Sequence, residues 1–115
     1  MTDFIKRKCI PCEDSSIAAL DLNTIHKYQK KVDGWSVNAN EMKVYFLEKK
    51  FTFKNFINSH HFINKVGRIS EEEGHHPDIF FGWGYAKITI STHAIKGLSE
   101  NDFILAAKID HIFNA

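Results

Sequence analysis

Hydrophobic residues recur at three- and four-residue intervals in three stretches of this chain and alternate with polar ones between them. A helix repeats about every 3.6 residues and a strand every two, so that rhythm divides the chain into elements. Residues 22–32 form the first predicted helix. Leu22, Ile25, Tyr28 and Val32 make its apolar stripe, Asp21 or Asn23 caps its start, and Gly34 follows its end. His26 falls off the stripe, towards solvent. Residues 35–38 read as a short strand, 39–41 as a turn and 42–53 as a long strand. In that strand Met42, Val44 and Phe46 share one parity, while Tyr45, Leu47, Phe51 and Phe53 share the other. With both faces apolar, helices are expected to cover one and a partner subunit the other.

The longest predicted helix runs over 54–73. Phe56, Ile57, Ile63, Val66 and Ile69 recur along one side and Phe62 widens it. His60 falls on that side, as a core or interface histidine, and His61 on the exposed one. The helix ends in Glu71-Glu72-Glu73, and carboxylates beside the negative end of a helix dipole each cost a few tenths to ~1 kcal/mol. After a Gly-His-His-Pro corner, 78–83 reads as a strand, Gly82 and Gly84 bracket Trp83 at a turn, and 85–92 alternates most cleanly. Ala86, Ile88 and Ile90 face one way; Tyr85, Lys87, Thr89 and Ser91 face the other, and His93 continues the polar parity. Gly97 marks a loop. Ser99 begins the last helix, with Asp102 three positions on in a capping-box arrangement. Phe103, Ile104, Ala107, Ile109 and Ile112 form its buried side. Residues 1–20 carry no sustained period and read as an extended arm before a single domain over 21–115. The order α-β-β-α-β-β-α makes an α+β fold, a four-stranded antiparallel sheet with three helices packed on one face.

Composition narrows function more than fold. At 115 residues the chain can bury a real core yet is marginal as an isolated monomer. Ten phenylalanines predict an aromatic-rich core or subunit interface. A net charge of +1 with scattered lysines lacks the concentrated basic face that a nucleic-acid backbone requires. No stretch approaches the ~20 apolar residues of a membrane span. The start has charge but no apolar signal core, so a cytoplasmic location is expected. Cys9 and Cys12 form a lone C-x-x-C. Zinc wants four ligands and no second cysteine pair exists, while a redox pair belongs at a strand-to-helix junction. An incidental turn is the preferred reading, with zinc completed by histidines as the alternative.

The candidate chemistry lies in Gly74-His75-His76-Pro77 and Ser91-Thr92-His93. Adjacent histidines diverge from any regular backbone, but a Gly before and a Pro after them fix their directions. A third histidine at the end of a later strand can face the pair across a cleft, giving three imidazoles that exchange protons near neutral pH. The plain alternative is a pair of solvated loop histidines.

These residues resemble a known family. Glu71-x-x-x-His75-His76-Pro77, Trp83, Ser91-Thr92-His93 and Gly97-Leu98-Ser99-x-x-Asp102 look like the signature of the pterin-4a-carbinolamine dehydratases. Gly34-Trp35, Phe51-x-Phe53-Lys54-x-Phe56 and Phe62-Ile63-Asn64-Lys65-Val66 extend the similarity over nearly the whole chain, and the Cys9-Ile10-Pro11-Cys12 arm is similar to bacterial members. The resemblance implies dimers or tetramers and loss of water from 4a-hydroxytetrahydropterin to give quinonoid dihydropterin. That step recycles the cofactor of aromatic amino acid hydroxylases, which are candidate partners, and uses no metal or bound cofactor. The positions that match the family's catalytic histidines are His75, His76 and His93; we assign His75 and His93 to proton transfer and His76 to binding and orienting the pterin, and which histidine is the acid stays open. Glu71, one helical turn before His75, is expected to orient it or favour its charged form. Asp102 is the cap partner of Ser99 with a second role near the site. Gly74, Pro77, Ser91, Thr92 and Ala94 would surround the substrate, and Trp35 and Trp83 could wall its ring or simply pack. Gly74 and Ile95 depart from animal members, which often carry a polar residue and a cysteine there; this touches substrate contacts, not the histidines. A second reading is an interaction protein, since animal members also serve as dimerisation cofactors of a homeodomain transcription factor.

Overall fold

The computed structural model describes residues 3–9 and 18–115. In chain order the elements are α1 (Asp3–Lys6), α2 (Leu22–Gln29), β1 (Ser36–Ala39), β2 (Tyr45–Thr52), α3 (Phe56–Glu73), β3 (Asp78–Gly82), β4 (Tyr85–Ile90), a 3-10 turn (His93–Ile95) and α4 (Glu100–Asn114). The strands form one open antiparallel sheet in the order β1-β2-β4-β3. Leu47 pairs with Ile90 and Phe51 with Ala86 across its centre, and Ile79 with Ile88 beside them, so one parity faces the helices. Leu47, Phe51, Ala86, Ile88 and Ile90 are buried there against Phe62 and Val66 of α3 and Phe103 and Ile109 of α4. The α+β architecture expected from the pattern is therefore the one observed.

Three local differences have clear causes. The long strand begins at Tyr45, because Asn40 Oδ1 accepts the Met42 and Val44 N–H groups and Lys43 adopts φ 62°. That Asx turn leaves Met42 exposed at the surface. His60 lies on the surface, its ring stacked on Phe56 6.2 Å away. The arm, expected to be extended, includes the helical turn α1. Its Phe4 is buried, with the Tyr28 ring 5.3 Å and the Phe103 ring 6.2 Å away. Burying one such ring is worth about 1.5–3 kcal/mol.

That contact explains α4. The last helix was expected to bury one side, but all of Asn101 to Ala107 is buried. A helix enclosed all round needs cover on both sides. Both α3 and α1 pack against it, and the buried sheet residues share one core cluster with its Phe103 and Ile109. Polar groups enclosed with it find partners: Trp35 Nε1–H donates to Asp110 Oδ2 at 3.0 Å, and Lys49 Nζ lies 2.8 Å from Asp110 Oδ1. Burial pushes the Asp110 carboxyl above its ordinary value despite the bonds and charge of Lys49 and the Trp35 bond.

Candidate active site

The site is built where α3 ends. Gly74 takes φ 65°, the left-handed conformation that lets a chain leave a helix, and the His75 N–H donates back to the Ser70 carbonyl at 3.2 Å. This corner sends the next two side chains in opposite directions. His75 turns inward and is 6% exposed; His76 turns outward.

His75 meets α4. Its Nε2–H donates to Asp102 Oδ1 at 2.6 Å, and the Asp102 side chain is fully enclosed. An enclosed carboxylate costs several kcal/mol unless its lone pairs are satisfied. Here Oδ2 accepts from the Ser99 N–H and from Thr92 Oγ1–H, both at 2.8 Å. A carboxylate cannot donate, so the Thr92 proton points at Asp102, and the Ser99 hydroxyl in turn donates to Thr92 Oγ1 at 2.8 Å. The capping box read from Ser99 and Asp102 is present, and its acid does a second job by fixing the proton of His75 on Nε2.

Thr92 ties in the third histidine. Its N–H donates to the Gly97 carbonyl at 2.8 Å, closing a loop around the 3-10 turn that starts at His93. His93 is thus one residue from the buried network, with its own ring exposed. The structure brings His75, Thr92, Ser99 and Asp102 into one hydrogen-bonded set, with His76 and His93 flanking it along the chain. The sequence pattern marks Ser99 as a cap and Thr92 as a substrate contact; the spacing Thr92…Ser99-x-x-Asp102 is the signal of their shared role.

Glu71 requires a correction. It was expected to support His75, one turn away, but its Oε2 pairs with His76 Nε2. The left-handed residue between them rotates His75 off the face of α3 and returns His76 to it. Glu73, two positions on, is also paired: Oε2 lies 2.5 Å from Lys108 Nζ and Oε1 accepts the Cys9 N–H at 2.9 Å. Burial raises the Glu73 pKa, but the Lys108 bond, the Cys9 bond and the charges of Lys108 and Lys8 outweigh it and hold the carboxyl below its ordinary value. Two of the three carboxylates at the helix end, Glu71 and Glu73, thus have named partners.

Of the expected substrate contacts, Gly74 forms the corner, Pro77 follows it half-buried, Ser91 is half-buried next to Thr92, and Ala94 is exposed. The two tryptophans do not join them. Trp35 is 3% exposed, its ring 6.0 Å from Phe51 in the core, so it has no free face to offer. Trp83 is exposed at the tip of the β3–β4 hairpin, while the histidines lie at its open end. Strand rise separates those ends by roughly 13 Å. Cys9 is described, its Sγ 3.6 Å from the Asn101 carbonyl; Cys12 lies outside the described residues. Among the described residues no helix is long and apolar enough to cross a membrane.

A profile of the family described as pterin 4 alpha carbinolamine dehydratase matches residues 18–112. A Rubrobacter xylanophilus protein that bears this name provisionally is 38% identical over 112 residues, spanning 97% of this chain and all of that relative. The Arabidopsis thaliana protein named pterin-4-alpha-carbinolamine dehydratase 2, mitochondrial, is 41% identical, spanning 97% of this chain and 60% of its own length. Among solved structures, a transcriptional coactivator/pterin dehydratase from Brucella melitensis superposes with a TM-score of 0.73 over 82% of this chain and 97% of that one; at 24% identity it speaks to the fold. A pterin dehydratase-like protein described as a RuBisCO assembly factor of the alpha-carboxysome aligns at TM-score 0.59 and 28% identity, over 69% of this chain and 88% of that one.

Proposed function

This chain belongs to the pterin-4a-carbinolamine dehydratase family, and from that footing we propose that it removes water from 4a-hydroxytetrahydropterin to give quinonoid dihydropterin. One observation carries the reading: the His75 ring, buried at the motif corner, is hydrogen-bonded to an enclosed carboxylate beside the loop that bears His93. The reaction breaks the C4a–O bond. The leaving oxygen takes a proton and departs as water, a ring N–H proton goes to a base, and its electron pair forms the new double bond. Nothing is oxidised or reduced, so proton transfer suffices.

We assign the base to His75, because Asp102 compensates the positive charge its ring gains. His93 then supplies the proton to the hydroxyl, and His76, held by Glu71, orients the pterin. Positioned proton transfers of this kind contribute typically ~10²–10⁴-fold. The assignment covers a cytoplasmic homodimer or homotetramer that recycles tetrahydropterin for aromatic amino acid hydroxylases. A dehydration assay on 4a-hydroxytetrahydropterin tests it. His75→Ala and His93→Ala each lose most turnover while subunit assembly, followed by sedimentation, stays unchanged. Turnover that survives both substitutions excludes the assignment.

A second reading, an interaction module with little catalysis, draws on exposed Phe56, Phe80 and Trp83 and on the coactivator and assembly-factor descriptions of the two structural relatives. It predicts partner capture that is indifferent to His75→Ala.

A further inference from the structure

The His75–Asp102 bond joins the end of α3 to the start of α4, and a second tie between the same helices runs alongside it. Glu73, the last residue of α3, meets Lys108 of α4, with side chains 3% and 12% exposed. Asp102 and Lys108 are six residues apart, about 9 Å along the helix axis. Glu73 and His75 flank Gly74. A single contact leaves a corner free to pivot; two contacts so spaced fix its angle. Residues 7–9 are stitched across the same junction. The Cys9 N–H donates to Glu73 Oε1, Cys9 Sγ contacts the carbonyl of Asn101, next to Asp102, and Arg7 pairs with Glu100.

We propose that Glu73 and Lys108 are positioning residues whose ion pair sets the placement of His75 against Asp102; this rests on His75 being a proton-transfer group. The physical reason is the position of the carboxylate. It is enclosed, and it sits at the negative end of α3, where the helix dipole opposes it. Without the ammonium it must recover water. The last turn of α3 then moves outward, carrying Gly74 and His75 away from Asp102. A misplacement of about 1 Å can cost roughly 10²-fold in rate. Removing one charge strands the other, whereas removing both together leaves neither a carboxylate nor an ammonium to hydrate, so the corner returns.

Three variants test this: Lys108→Met, Glu73→Gln, and the double E73Q/K108M, whose glutamine oxygen still accepts the Cys9 N–H. Each is read in two ways. The first is kcat and KM per folded molecule. The second is the NMR signal of the His75 Nε2 proton, which needs no turnover. Lys108→Met is expected to lower kcat about tenfold or more with KM within about twofold, and to shift the His75 signal, while the double variant recovers to within about threefold. If Lys108→Met does not fold, Glu73→Gln gives a smaller displacement of the same sign. A His75 signal identical to wild type in both single variants overturns the proposal. So does a double variant as impaired as Lys108→Met, which reduces the pair to generic stability. Wild-type protein with no dehydration activity removes the parent reading alone, and the NMR comparison then decides the proposal.

Discussion

Two neighbouring histidines of this molecule each meet one carboxylate, in opposite surroundings. The His75 and Asp102 side chains are 7% and 0% exposed; those of His76 and Glu71 are 60% and 78% exposed. Pair chemistry is the same, but the exposed pair competes with water and salt and is worth about 0–1 kcal/mol. The enclosed pair is held by Thr92 and Ser99 as well, and losing one member strands a charge without water. The difference is functional. A fixed imidazole with a defined tautomer suits proton transfer, and a solvated one suits a ligand that arrives and leaves.

The comparison can be broken most severely at Asp102. Asp102→Ala removes the acceptor of three donors; it is expected to cost about 3–5 kcal/mol in urea unfolding and to lower dehydration by about 10²–10⁴-fold. A loss under about 1 kcal/mol would mean that the buried network is not a single unit. Thr92→Val is the next step down, about 1–3 kcal/mol, because it strips one bond from Asp102 and leaves the Ser99 hydroxyl without its acceptor. Differential unfolding of this variant and wild type gives the figure directly.

Acid sharpens the contrast through Glu73. Its folded carboxyl is held below the ordinary value, so the unfolded chain binds the proton more readily. The pair's stabilisation is therefore present above the ordinary glutamate range and lost as pH falls through it. Asp110 is raised and has the opposite sign, its contribution fading as pH rises. The stability gap between wild type and Glu73→Gln isolates the first group and is expected to narrow on acidification; a gap that ignores pH contradicts the pairing. Smallest is Glu71→Gln, within about 0.5 kcal/mol in the same unfolding measurement. Its effect belongs in KM, and an unfolding cost as large as that of Thr92→Val would erase the distinction between the two histidines.

Alternation and helical spacing settled the strand parities of β2 and β4, the extent of α3 and the start of α4 to within a few residues, because these depend on near neighbours and on which face meets the core. Spacing also marked the corner that carries His75 and His76 and the tip that carries His93. Tertiary structure decided the partners. Glu71 and Asp102 were both plausible companions of His75 along the chain. A single left-handed residue, with α4 packed across the end of α3, gave His75 to Asp102 and His76 to Glu71. The tertiary fold also drew Trp35 into the core and laid residues 3–9 against α4, since the direction of a side chain after a turn, and the cover around a helix, are set by elements distant in sequence.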